Sequence, residues 1–173
     1  LGSEAGANIT IGRYNIAIGV NTLITEDVGD GTTAVGTGAG GYQNSNSDNE
    51  ATGNSLFGFV AGEFNVTGTH NTYLGYQSGK GVETNSNSGN TAVGFASLLS
   101  ITTGTENVGI GSGSLNKVTD SLENTAVGAM SGYNVTTGDL NTAIGYKALY
   151  TEDAGNQAVA IGDYALYSQN GGT

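Results

Sequence analysis

The chain of 173 residues has no cysteine, no proline and no tryptophan. Without cysteine it can form no disulfide, no iron–sulfur cluster and no thiolate zinc site. Basic residues are nearly missing as well. Arg13, Lys80, Lys117 and Lys147 face 15 acidic residues, and the net charge is −11. Four cations cannot neutralise a phosphate backbone, so nucleic acid is not an expected partner. The acidic balance also disfavours docking on anionic membranes. No apolar run approaches the roughly 18 residues of a membrane-spanning helix, so membrane insertion is not expected. No signal peptide is visible and the first residue is not Met, which suggests a processed product or a piece of a longer chain.

Glycine is what the chain has in abundance. Its 31 glycines are more than twice the usual share of about 7%. They fall in register. Anchors at Gly2, Gly19, Gly36, Gly58, Gly75, Gly94, Gly111, Gly128, Gly145 and Gly162 are separated by 17 residues in seven of nine steps, by 22 after Gly36 and by 19 after Gly75. The phrase around the anchor recurs, as in "NTAVGFASL" (90–98), "NTAVGAMSG" (124–132) and "NTAIGYKAL" (141–149). One residue before the anchor the side chain is always large and apolar, two before it Ala dominates, and four before it stands Asn in seven of nine repeats. Three after the anchor every residue is Ala, Ser or Thr, and four after it every residue is Gly or Leu.

Seventeen residues are too few for a helix pair or a propeller blade. Short β-branched segments ending in Gly or Asn turns read as strands. Each repeat is therefore expected to hold about two short strands and two turns, forming one coil of an all-β parallel β-solenoid of about ten coils over residues 1–173. Identical columns then stack about 4.8 Å apart. The expected core column is Ile18, Val35, Phe57, Leu74, Val93, Ile110, Val127, Ile144 and Ile161. The expected amide ladder, in which each side chain bonds the next coil, is Asn15, Asn54, Asn71, Asn90, Asn107, Asn124 and Asn141. One such column is a meagre core against about 1.5 kcal/mol of conformational entropy per ordered residue. The two small-residue columns are therefore expected to form a second packed surface, with several copies lying side by side.

"NQAVAIGDYAL" (156–166) and "NIAIGVNTL" (15–23) are similar to repeats in the head domains of trimeric autotransporter adhesins. "NTAIGYKALYTEDAGN" (141–156) resembles still more closely the longer repeats of tail-fibre and appendage proteins of bacteriophages and other viruses. The resemblance covers the whole chain. It implies a left-handed β-roll, an intertwined or side-by-side homotrimer, and a place on a virion or at the extracellular cell surface. The function it implies is a structural fibre segment, a rigid rod with possible host-surface contact. The alternatives are a bacterial adhesin head that binds matrix or cell glycans, and a self-stacking extracellular filament subunit.

No residues are assigned to catalysis, to a cofactor or to a metal, and an enzyme is not expected. His70, the one histidine, reads as a solvated loop residue, since a catalytic histidine needs a partner held in a pocket. "GIGSG" (109–113) and "GTGAGG" (36–41) fall in repeat columns and lack the helix that a phosphate-binding loop requires. The acidic stretches 25–30, 47–50 and 151–153 read as a solvated face, with calcium in a groove between subunits as the alternative. The two longer steps carry the functional expectation, because insertions in solenoids map to loops that often bind. Both contain "NSNS". The candidate contacts to a glycan or protein receptor are Tyr42, Gln43, Asn44, Asn46, Asp48, Asn49, Glu50, Asn85 and Asn87.

Overall fold

The computed structural model describes residues 2–47, 50–82, 85–151 and 153–168. It is a parallel β-solenoid without helices among those residues. Each coil contributes one three-residue strand: β1 Ile16–Ile18, β2 Thr33–Val35, β3 Ser55–Phe57, β4 Thr72–Leu74, β5 Thr91–Val93, β6 Val108–Ile110, β7 Thr125–Val127, β8 Thr142–Ile144 and β9 Val159–Ile161. They form one nine-stranded sheet in chain order, every pair parallel. Nine strands make about eight turns. The first anchor, Gly2, precedes β1.

Register is uninterrupted across the long steps. Ala34 pairs with Leu56 and Tyr73 with Ala92, as Ala126 pairs with Ala143 in a regular step. The extra residues of the long steps fall between stacked segments, and the bridges Asp30–Ala51 and Asn65–Asn85 continue the stacking after them. The anchor glycines explain why the coils can stack so closely. Gly111 has φ 131°, and a Cβ there would lie 2.5 Å from the carbonyl oxygen of Gly128 in the next coil. Only glycine meets both conditions.

Among the described residues the expected second strand of each coil is absent. Residues two and four after each anchor are left-handed: Asn21 and Leu23, Ala96 and Leu98, Lys147 and Leu149 all have φ between 47° and 54°. Alternating left-handed residues wind the chain through consecutive turns rather than an extended return. A non-glycine residue there costs about 1–2 kcal/mol. Burying a leucine contributes about 1.5–3 kcal/mol, so Leu23, Leu98, Leu115 and Leu149, all buried, offset their strain.

The expected core column faces the other way. Ile18, Phe57, Leu74, Ile110, Ile144 and Ile161 are exposed, and Val35, Val93 and Val127 are only half-buried. The inward residue of each strand is the one before it: Ala34, Leu56, Tyr73, Ala92, Ala126, Ala143 and Ala160 are buried. A three-residue strand alternates out, in, out, so only its middle residue can enter the coil. The two small-residue columns are likewise interior, not an outer packing surface. Their small size is set by the volume of the coil. Leu56 and Tyr73 share their coils with Gly62 and Gly79, whereas Ala92, Gly109 and Ala143 share theirs with Leu98, Leu115 and Leu149. A Cβ on Gly62 would come within 2.9 Å of Leu56.

Polar columns complete the interior. Asn107 Oδ1 accepts hydrogen bonds from the backbone N–H and the side-chain amide of Asn124, at 3.0 and 3.1 Å, and Asn107 Nδ2 donates to the Ser121 carbonyl at 2.7 Å. The same geometry runs through Asn54, Asn71, Asn90, Asn124 and Asn141. Asn15 accepts from the Thr32 N–H instead, because its column holds Thr in the next coil. A second ladder was not foreseen. Ser97, Ser114 and Ser131 donate to the carbonyls of Gly109, Ala126 and Ala143 at 2.9, 3.0 and 2.7 Å.

Candidate functional site

The candidate contacts from the two insertions divide by the same inside–outside rule. The two "NSNS" stretches sit in opposite phase. In the first, Asn44 and Asn46 face solvent and Ser45 is buried. In the second, Asn85 and Asn87 are buried, while the Ser86 and Ser88 hydroxyls lie on the other side of the chain and accept hydrogen bonds from Thr67 and Thr69. Asn85 and Asn87 are therefore corrected from receptor contacts to interior residues. Asn85 Nδ2 donates to Ile101 O, and Asn87 Nδ2 donates to Asn85 Oδ1. Gln43 is buried as well and is also withdrawn. Tyr42 is exposed, and Glu50 is half-buried with its carboxylate accepting from the Asn46 N–H at 3.2 Å. Asp48 and Asn49 lie outside the described residues.

Gln43 belongs to a polar block inside the coils beside the longer insertion. Its centre is Glu26, fully buried, whose carboxylate accepts from Gly29 N–H at 2.8 Å, Gln43 Nε2 at 3.0 Å, Ser45 N–H at 3.3 Å and Ser45 Oγ at 3.2 Å. Gln43 also donates to Thr32 Oγ1 at 2.8 Å and accepts from Asn54 Nδ2 at 3.1 Å, which joins the block to the asparagine ladder. Above it Tyr73 fills a coil, and its hydroxyl donates to the side chains of Asn71 and Asn87. Burial pushes the Tyr73 phenol far above its ordinary pKa, so it stays protonated and acts as a donor. The side chains of Glu26, Gln43 and Asn54 thus find their partners within the interior.

His70 is exposed and left-handed, with its ring nitrogen 2.9 Å from Thr69 Oγ1. Among the described residues it forms no ion pair with a carboxylate. No cluster of three or more His, Asp or Glu side chains occurs among the described residues.

The outside carries two features that composition alone did not reveal. The first is the outer face of the sheet, where the large apolar residue before each anchor repeats coil after coil. The second is a set of aromatic stacks on the turn segment after the anchors. Phe59, Tyr76 and Phe95 stack in succession with ring centroids 5.1 and 5.6 Å apart, and Tyr42 stacks on Phe64 at 5.1 Å. Nearer the other end Tyr133, Tyr150 and Tyr167 stack at 5.4 and 5.2 Å, with Lys117 over Tyr133 and Lys147 over Tyr150. In the sequence, Phe59, Tyr76 and Phe95 stand one residue after their anchors, Tyr42 and Phe64 six after, and Tyr133, Tyr150 and Tyr167 five after. The first two stacks both end at a groove of about 470 Å³ lined by Asn21, Ile24, Thr25, Thr37, Gly38, Tyr42, Phe59, Val60 and Glu63.

Comparison with known proteins finds no matching family model, no matching curated protein and no matching solved structure.

Proposed function

We propose that the chain is a rigid rod segment of a homotrimeric fibre, the tail fibre or a similar appendage of a virus particle, which contacts a host surface along its outside. The observation that carries the reading is the outer face of the strands. Its two columns, from Ile16 and Ile18 to Val159 and Ile161, hold Ile, Val, Leu, Phe, Thr and Ser and not one charged residue, in a chain of net charge −11. Nine strands at that spacing run about 40 Å. The column from Ile18 to Ile161 is apolar in every coil and exposed or half-buried, and an apolar stripe of that length needs a cover. A parallel copy of the same chain matches it coil by coil, because both rods repeat at the same spacing. The virion assignment is supported by the resemblance of the repeats to phage fibre repeats.

Sedimentation equilibrium at micromolar concentration tests the assembly. A trimer is expected, and a clean monomer would overturn the proposal. Ile110→Asp and Ile144→Asp should both shift the distribution toward monomer while leaving the solenoid circular dichroism intact. The flanking reading frame tests the setting: a virion-attachment or chaperone domain is expected, and a membrane anchor would point to a cell-surface adhesin instead.

A further inference from the structure

The two aromatic stacks end in a way that leaves two rings half-covered. Tyr42 has Phe64 against one side. On the other side its column continues as Thr25 in the preceding coil. Phe59 has Tyr76 against one side, and its column continues as Thr37. The two columns stop one coil apart, Tyr42 in the coil of Gly36 and Phe59 in the coil of Gly58, and the steps down to Thr25 and Thr37 border the groove. Tyr42 and Phe59 are 52% and 46% exposed, so the terminal rings present surface to it. Gly38 and Val60 lie in its floor. A Cβ on Gly38 would come within 3.0 Å of Val60, so the glycine keeps the floor low. Val60 has φ 49° and is the one β-branched residue with positive φ among the described residues, a conformation of real strain.

The polar lining is Asn21, Thr25, Thr37 and Glu63. Thr25 Oγ1 shares its one proton between the carbonyls of Gly41 and Gln43, at 3.0 and 2.8 Å, which leaves its lone pairs to accept. Glu63 is the sole charged lining residue, and Lys80 Nζ lies 3.5 Å from its carboxylate. Lys80 in turn sits over Phe64 at 5.3 Å from the ring centroid. The charge of the groove is therefore already matched within the chain. A cationic ligand gains little from it, and an anionic ligand meets a carboxylate inside a rod of net charge −11. What fits is an uncharged ring with polarised C–H groups for the aromatic faces and hydroxyls for the threonine, amide and carboxylate acceptors. The volume lies within the range of roughly 300–1,000 Å³ typical of small-molecule sites.

We infer that this groove binds a neutral hexopyranose unit of a surface oligosaccharide, held between Tyr42 and Phe59. The inference rests on reading the chain as a surface-contact fibre, and it places the contact on the turn segment rather than in the insertion loops. No strand residue lines the groove, so the sheet's outer face, given above to a neighbouring copy, is not part of it.

Saturation-transfer NMR of the 173-residue chain with a panel of neutral disaccharides (maltose, lactose, cellobiose and chitobiose) tests it. Transfer to the ring protons of at least one of them is expected. Tyr42→Ala should weaken that binding roughly ten-fold, the scale of losing one aromatic contact. Thr37→Phe is the second variant. It extends the Phe59 stack by one coil and fills the groove, with a side-chain type the column already carries at Phe59, Tyr76 and Phe95. It should abolish transfer while circular dichroism stays unchanged. No transfer to any disaccharide, or equal transfer in wild type and Thr37→Phe, would overturn the inference. So would transfer to choline but not to sugars, which would mark a cation site. Sedimentation of the same samples separates the two readings: trimer without sugar binding sinks only the groove, and monomer sinks the fibre.

Discussion

Replacing Asn107, at the centre of the asparagine ladder, isolates what one rung contributes. Alanine there removes the acceptor of the Asn124 N–H and the donor to the Ser121 carbonyl. Asn124 Nδ2 keeps the Gly138 carbonyl at 2.8 Å, and Asn90 Oδ1 keeps the Asn107 N–H at 2.9 Å. Two buried backbone groups are thus orphaned, each costing about 1–3 kcal/mol, so Asn107→Ala should lose about 4 kcal/mol. Asn107→Asp is the sharper test. Its carboxylate still accepts from Asn124, but the former amide position now sets an anionic oxygen against the Ser121 carbonyl and Asn90 Oδ1. Burial and these oxygens raise the folded pKa of the introduced carboxyl above its unfolded value of about 3.9. A raised folded pKa means that stability is retained below the unfolded pKa and lost as pH rises through the folded one. Relative to wild type, Asn107→Asp should therefore be worse than Asn107→Ala at pH 7 and better than it near pH 4, where the protonated carboxyl can donate to Ser121. Urea unfolding followed by circular dichroism at one fixed chain concentration measures both differences. An Asn107→Asp deficit that is the same at pH 4 and pH 7 would refute the donor–acceptor assignment of the ladder.

Three further perturbations follow from the interior. All four contacts to Glu26 are donors, so the isosteric Glu26→Gln, which turns an N–H₂ toward them, should lose about 1–3 kcal/mol in the same unfolding assay; an unchanged midpoint would refute the reading of these four contacts as donors to Glu26. Gly111→Ala sets a Cβ 2.5 Å from the Gly128 oxygen at a φ of 131°, and should cost about 3 kcal/mol or prevent assembly, read as a lowered thermal midpoint. Ala92→Leu should overpack its coil by about 1–3 kcal/mol, and adding Leu98→Gly, which reproduces the Leu56–Gly62 pairing, should recover at least about 1 kcal/mol of the sum of the two single effects in a double-mutant cycle.

The stacking was legible because it is written as identity along one dimension. A glycine every 17 residues, with Asn four before it, is a pattern that only self-stacking coils explain, and the strand register and the asparagine hydrogen bonds follow from it. The faces of the strands were not legible by hydrophobicity. Val, Ile and Leu one residue before the anchor look like a core, and Ala two before it looks like a surface for close approach. The coil reverses this because its interior has room for one strand residue and one turn residue, and those two must share a fixed volume. The signal was present: Leu56 with Gly62, Tyr73 with Gly79 and Ala92 with Leu98 compensate one another. It shows only when the two columns are compared pairwise.

The insertions teach the same lesson. "NSNS" occurs in both, and composition treats its asparagines as equivalent. The structure turns Asn44 and Asn46 outward and Asn85 and Asn87 inward, because a one-residue difference in phase moves every side chain to the opposite side. The groove at Tyr42 and Phe59 was equally beyond the linear pattern, since it arises where two aromatic columns from different offsets end in neighbouring coils. The sequence by itself determined the period, the parallel stacking and the ladder, which depend only on what recurs. Tertiary structure decided which side of each coil is inside, because parity and shared volume are properties of the closed coil and not of any single column.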